Sequence, residues 1–268
     1  MSPSIQAVIL DWAGTTVDHG SIAPAGVFVE VFARQGVAIT LAEAREPMGV
    51  HKREHIRRVC AMPAVAEAWR RAKGSLPSVE DEEALYAAAI PLQIECLPRY
   101  STPIDGVVEA IAALRARGLR VGSTTGYIRA MLDVVQDHAS RQGYRPDCAV
   151  AADEVPEGRP APFLNWEAAR RLGAWPHHAL VAVGDTVVDM QAGRNAAFWT
   201  VGVSRTGSLL GLSRDELAAL APGQRARLEE AASATLIEAG AHLVIPSLAQ
   251  LPEAIVELDA RLARGERP

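Results

Sequence analysis

Ala7-Val8-Ile9-Leu10-Asp11-Trp12-Ala13-Gly14-Thr15-Thr16 decides the fold of this chain. Four consecutive apolar residues predict a short strand buried on both faces, as in a parallel sheet. The run stops at Asp11, and Gly14 permits a sharp turn just beyond it. A carboxylate at the end of a buried strand is costly unless it is paired or bound to a metal. In open α/β sheets that end is also where ligands bind. Asp11 is therefore a candidate nucleophile or metal ligand. Its plainer reading is a cap on the following turn, where Asp is common.

Outward from this stretch the pattern falls into two parts. Residues 17–23 read as a linker, and helical periodicity follows at 25–35, 50–60, 64–73 and 79–97, with no convincing strand between Ser21 and Pro98. From Ser101 the pattern alternates: helices at 106–117, 128–141, 162–172 and 187–195, and strands at 119–123, 148–151, 179–183 and 199–203. Residues 204–240 form a long connection. Its helix at 225–238 reads as a solvated surface element, and a strand (242–245) and a helix (249–262) close the chain. Strands alternating with helices predict an α/β fold with a Rossmann-like, doubly wound parallel sheet. The expected division is a core of residues 1–21 and 100–268 with an inserted all-helical cap at 22–99. Two linkers would cross between them, so closure could exclude water.

With 268 residues, 49% hydrophobic and 22% charged, the composition is that of a globular protein. The net charge of −5 supplies no global basic field for nucleic acid. No stretch reaches the roughly 18 apolar residues of a membrane span. Met1-Ser2-Pro3-Ser4 shows neither a basic segment nor a signal-like apolar core. Cys60, Cys96 and Cys148 are scattered, without metal-ligand spacing. They suit a reducing cytoplasm.

Three further stretches lie at or beyond predicted strand ends: Ser123-Thr124-Thr125-Gly126, Gly158-Arg159-Pro160 and Gly184-Asp185-Thr186-Val187-Val188-Asp189. Asp11, Asp185 and Asp189 make an acidic cluster if the first and fourth strands are neighbours, and a hard cation such as Mg²⁺ prefers a few carboxylates with waters and a phosphate oxygen. Asp189 also reads as a first-turn residue favoured by the helix dipole, supporting the site from one turn beyond Asp185. Thr125 and the N–H of Gly126 before a helix suit a phosphate or phosphonate oxygen, or are a plain N-cap. The guanidinium of Arg159 binds such an anion with two donors; most single arginines are merely solvated.

In the predicted cap, Met48-Gly49-Val50-His51-Lys52-Arg53-Glu54-His55 places Lys52 on one helical face with His55 and Ile56. Cationic neighbours (Arg53, Arg57 and Arg58) and partial burial lower a lysine pKa and free its amine to form a Schiff base. His55 is placed to move protons. A solvated basic helix is the commoner meaning of such a charge run.

The four motifs resemble those of the haloacid dehalogenase superfamily, most of whose members act through an aspartyl-phosphate. Its phosphatases usually carry a second Asp two residues after the nucleophile as general acid; here Ala13 stands there. Ala13, together with Met48-Gly49, Lys52, His55, Thr125-Gly126-Tyr127 and Gly158-Arg159-Pro160-Ala161-Pro162, resembles the phosphonoacetaldehyde hydrolase family. The resemblance implies cleavage of a carbon–phosphorus bond through a Lys52 Schiff base and an aspartyl-phosphate on Asp11. It implies Mg²⁺ held by Asp11, Asp185 and the Ala13 carbonyl, a small-molecule phosphonate as substrate, and neither nucleic acid nor membrane as partner. By the same resemblance Met48 lies near the imine and His55 assists proton transfer. Tyr127 lines the substrate site with Thr125, Gly126 and Arg159. Ser21 stands where family members carry a cysteine. A homodimer through the cap is implied too, and the Val27 to Val31 face could serve it. The competing readings are a phosphomonoesterase or phosphomutase of the superfamily and a non-catalytic phosphoacceptor or scaffold.

Overall fold

The stretch 7–10 forms β1 (Ala7–Leu10), and the computed structural model explains its unbroken apolar run. Val8 and Leu10 belong to one buried cluster and Ala7 and Ile9 to another, on opposite faces of the sheet. Alternate side chains of a strand point to opposite faces, so a strand covered on both sides must be apolar throughout. The structure describes residues 4–268; Met1, Ser2 and Pro3, where the leader reading begins, lie outside the described residues.

After β1 come α1 (Ile22–Arg34), α2 (Leu41–Arg45), α3 (Lys52–Ala61), α4 (Pro63–Lys73) and α5 (Val79–Cys96). Strand and helix then alternate: α6 (Val107–Ala116), β2 (Arg120–Thr124), α7 (Arg129–Arg141), β3 (Cys148–Val150), α8 (Phe163–Leu172), β4 (Leu180–Gly184), α9 (Val187–Asn195) and β5 (Trp199–Val203). The chain closes with α10 (Arg214–Ala219), α11 (Pro222–Glu238), β6 (Leu243–Ile245) and α12 (Leu251–Ala263). The six strands are parallel in the order β3-β2-β1-β4-β5-β6. This is the doubly wound α/β arrangement the alternation predicts. The direction of winding reverses between β1 and β4, and ligands of such sheets bind at that crevice.

The first cluster packs Val107, Leu132, Leu258 and their neighbours from α6, α7 and α12 against one face; the second packs Leu164, Ala168 and Phe198 against the other. The helices between β1 and β2 have their own core, built on Phe28, Phe32, Ile56, Val59, Trp69 and Leu85.

Four details depart from the sequence reading. Helix α2 was not expected; five residues are too few for periodicity, although the Thr40–Glu43 capping box marks its start. Helix α1 begins at Ile22 because the Asp18 carboxylate accepts the N–H groups of Ile22 and Ala23. Helix α11 is more than a solvated element, since Ala232 and Leu236 are buried and the helix packs on β5 and β6. Val27 and Val31, read as a face for dimer formation, are buried in the helical cluster instead. Gly26, Glu30, Ala33 and Arg34 are what α1 exposes.

Candidate active site

The register of β1 on β4 pairs Leu10 with Val183, and the Asp11 N–H donates to the Val183 carbonyl at 2.9 Å. Asp11 therefore leaves the sheet beside Gly184-Asp185. The carboxylates of Asp11, Asp185 and Asp189 offer oxygens within 4.8 Å of one another, all three buried. Burial pushes the carboxyl of Asp185 upward, and repulsion from Asp11 and Asp189 adds to it. Burial does the same to Asp11, opposed by the Arg159 cation.

Arg159 is buried, and it organises these acids. Its Nη1 donates to Asp11 Oδ1 and to Asp189 Oδ1, each at 2.7 Å. Its Nη2 donates to Thr124 Oγ1 at 2.8 Å and to the Thr124 carbonyl at 3.1 Å. Asp189 is the third residue of α9. Its Oδ2 accepts from Thr186 N–H at 3.0 Å and Thr186 Oγ1 at 2.5 Å, so both its oxygens are engaged within the protein. Asp11 and Asp185 thus remain better placed than Asp189 to hold a cation. Three buried carboxyls crowd around one guanidinium, and their mutual repulsion is what a bound cation would relieve. Hard oxygen donors of this kind fit a divalent ion such as Mg²⁺.

Lys52 is the first residue of α3, and only 3% of it is exposed. Its Nζ lies 5.2 Å from the centre of the Tyr127 ring and 5.6 Å from that of Phe28. It makes no ion pair among the described residues. Burial drives its pKa down to about 8, with a further push from Arg159 against the pull of Asp11 and Asp18. Arg53, Arg57 and Arg58, expected to do this, are turned outward and paired with Glu83 or Glu54. The cation that matters comes from the core.

Lys52 and Asp11 border one small cavity of about 20 Å³. Ala13, Met48, Thr125, Gly126, Tyr127 and Arg159 border it too. That is room for about one water. Gly126 is glycine because a Cβ there would lie 2.7 Å from the Val50 carbonyl oxygen. Its missing side chain lets the loop before α3 settle onto the loop after β2. Thr125 Oγ1 accepts from the Tyr127 N–H at 3.1 Å, which leaves its own proton available to an anion.

Residues 5–197 match the model of the haloacid dehalogenase-like hydrolases. The phosphonoacetaldehyde hydrolase of Nitratidesulfovibrio vulgaris is 47% identical over 264 residues, covering 98% of this chain and 94% of the relative. That of Hahella chejuensis is 46% identical over 264 residues, covering 98% and 90%. The crystal structure of a phosphonoacetaldehyde hydrolase-like protein from Oleispira antarctica superposes with a TM-score of 0.98 at 40% identity, covering 100% of this chain and 98% of that one.

The chain belongs to the phosphonoacetaldehyde hydrolase family.

As a hydrolase of this family, the protein brings together nearly all the residues its sequence singles out. Asp185 and Asp189 stand behind Asp11 in the acidic cluster rather than on the cavity wall. His55 does not border the cavity. It is wholly buried, stacked on Phe28 with ring centres 4.2 Å apart, and its Nε2 meets the Ala44 carbonyl at 2.8 Å. A carbonyl partner puts the proton on Nε2 and leaves Nδ1 as a buried acceptor with no partner. Burial and the nearby Lys52 hold its pKa well below the usual histidine range, so the ring is neutral.

Several neighbours escaped the sequence reading. Pro24 lines the cavity alongside Ser21, Gly49 and Thr186, of which the last two stand in the sequence motifs without a role of their own. Asp18 is buried under the start of α1 with a pKa raised to about 7 by desolvation. One signal was available for the amine: Lys52 and Lys73 are the only lysines, against 25 arginines. Arginine cannot lose its proton in a protein, so a lone buried lysine in so arginine-rich a chain points to amine chemistry.

Proposed function

We propose that the protein hydrolyses the carbon–phosphorus bond of phosphonoacetaldehyde, giving acetaldehyde and phosphate. The observation that carries this is the cavity shared by Lys52 and Asp11. An amine with a lowered pKa faces a buried carboxylate across a space bordered by an arginine and a threonine hydroxyl.

Thr125, the Gly126 N–H and Arg159 receive the phosphonate, and the aldehyde reaches Lys52. The free amine condenses with the carbonyl and expels water, leaving an iminium. Asp11 attacks phosphorus and forms the aspartyl-phosphate. The electron pair of the breaking carbon–phosphorus bond flows into the iminium, giving an enamine instead of a free carbanion. Protonation at carbon and attack of water release acetaldehyde and return Lys52. A second water cleaves the phosphoaspartate. No leaving oxygen needs a proton, which explains Ala13 in place of a general acid. Mg²⁺ bound by Asp11, Asp185 and the Ala13 carbonyl would neutralise charge as two anions meet. Asp189 supports the site by holding Arg159 against Asp11. Met48 packs beside the imine, and His55, behind the cavity wall, would assist proton transfer only through a water that reaches its Nδ1.

A small-molecule phosphonate as substrate, a homodimer and a cytoplasmic location complete the reading. Cys60, Cys96 and Cys148 are free thiols, as suits a reducing compartment. No described helix is long and apolar enough to cross a membrane. Arg57 and Arg58 pair with Glu54, and Arg70 with Glu67.

The test is turnover of phosphonoacetaldehyde with Mg²⁺, following acetaldehyde and phosphate together. Equimolar products from the wild type and none from folded Lys52→Arg are expected. Rapid release of phosphate from sugar phosphates, unchanged in Lys52→Arg, would replace this reading with a phosphomonoesterase or phosphomutase.

A further inference from the structure

The connection after β5 carries no motif, yet its first residues reach the acidic cluster. The Ser208 N–H donates to Asp185 Oδ2 at 2.7 Å. Thr206 Oγ1 donates to the Gly14 carbonyl at 2.8 Å, and the Thr206 carbonyl accepts from the Gly20 N–H at 2.8 Å. Thr15 Oγ1 donates to Asp185 Oδ1 at 3.2 Å.

Two glycines close the walls around this carboxylate. A Cβ on Gly14 would lie 2.6 Å from Asp185 Oδ2, and one on Gly207 would lie 2.6 Å from Asp185 Cβ and 2.9 Å from the Val203 carbonyl oxygen. Gly14 also needs glycine for its φ of +84°. Gly207 has no such backbone requirement and is glycine for space alone. Asp185 is thus a fully buried carboxylate with one oxygen set by a hydroxyl, the other by a main-chain N–H, and no room to turn.

The same strand of chain reaches the cap. Gly20 belongs to the first crossing between sheet and helices. Further along, the Leu212 carbonyl accepts from His19 Nδ1 at 2.9 Å, and a Cβ on Gly211 would lie 2.7 Å from the Arg45 guanidinium of α2.

We propose that Thr206-Gly207-Ser208 is the positioning element for Asp185, setting that carboxylate for a divalent cation and tying it, through Gly20, to the crossing into the cap. The proposal rests on the metal-dependent reading of the site. Partners that orient a metal ligand typically change metal affinity about 10- to 100-fold when lost.

The test is a Mg²⁺ titration followed by thermal stability, without substrate. Gly207→Ala should need roughly tenfold or more Mg²⁺ for half-maximal stabilisation, and its melting temperature without Mg²⁺ should also fall, because the added Cβ meets Asp185 Cβ and the Val203 carbonyl. A midpoint equal to wild type would overturn the positioning role. A wild type that Mg²⁺ does not stabilise would overturn the metal reading itself, and this is seen before any variant is compared. If Gly207→Ala does not fold, Thr206→Val and Thr206→Ser decide. Valine loses the hydroxyl that fixes Gly14 and should weaken Mg²⁺ binding, and serine should restore it. Identical midpoints for both and for wild type would refute the proposal.

Discussion

Lys52 offers the sharpest quantitative test. An amine of pKa 10.5 is free at pH 7 in roughly one molecule in 3,000; at about 8 it is free in roughly one in ten. Burial and Arg159 therefore raise the reactive fraction roughly 300-fold. The sign of the stability effect follows. The folded pKa lies below the unfolded one, so burying the ammonium destabilises the fold by about 3 kcal/mol below pH 8. That loss is recovered as pH rises from about 8 to 10.5. The assay is trapping of acetaldehyde with cyanoborohydride across about pH 6 to 10, with peptide mapping. Labelling of Lys52 should increase with pH and reach its midpoint near 8. Exposed Lys73, the other lysine of the chain, is the internal reference. Asp11 is the strongest pull holding Lys52 protonated, so Asp11→Asn should move the midpoint lower still. A midpoint at 10 or above, or label confined to Lys73, would refute the argument that burial tunes this amine.

Asp11→Asn should also abolish phosphate release, because an amide is a poor nucleophile; release at the wild-type rate would remove Asp11 from the chemistry. Arg159→Met leaves Asp11 and Asp189 buried without their cation, which should cost about 3–5 kcal/mol and lower the melting temperature by roughly 5–10 °C. The deficit should shrink on acidification as the Asp11 carboxyl takes up a proton, and a pH-independent change would contradict the electrostatic account. Gly126→Ala pushes a Cβ toward the Val50 carbonyl and should lower kcat/KM about tenfold or more with little change in melting temperature; unchanged kinetics would show that the contact is dispensable. Chelation of divalent metal should stop turnover and re-addition of Mg²⁺ restore it, whereas full activity in chelator would remove the metal.

Where packing decides, the chain is readable. Ala7 to Leu10 had to be a two-sided strand, and once β1 lay beside β4, Asp11 and Asp185 had to meet. What escaped depends on contacts between distant segments. Ser208 and Gly207 carry no pattern of their own; their meaning exists only beside Asp185. The arginines of α3 suggested a charged environment for Lys52, but a helix periodicity cannot say that Arg159, more than a hundred positions away, would be the relevant cation. Val27 and Val31 looked available as a face because sequence cannot tell an internal apolar stripe from an external one.

The amine and the carboxylate stand on segments that pack into different buried clusters. Lys52 begins a helix that belongs to the buried cluster between β1 and β2, and Asp11 directly follows β1, a strand paired on both sides. In the proposed reaction neither half can finish alone. The arrangement works like a safe with two keyholes set out of reach of one hand: only a molecule long enough to offer an aldehyde at one end and a phosphonate at the other can turn both together. Abundant phosphate esters would find the nucleophile but, with Ala13 in place of a general acid, no proton for their leaving oxygen, and so pass through uncleaved. Selectivity then comes from dividing the machinery between two groups that only a substrate with both functions can engage together.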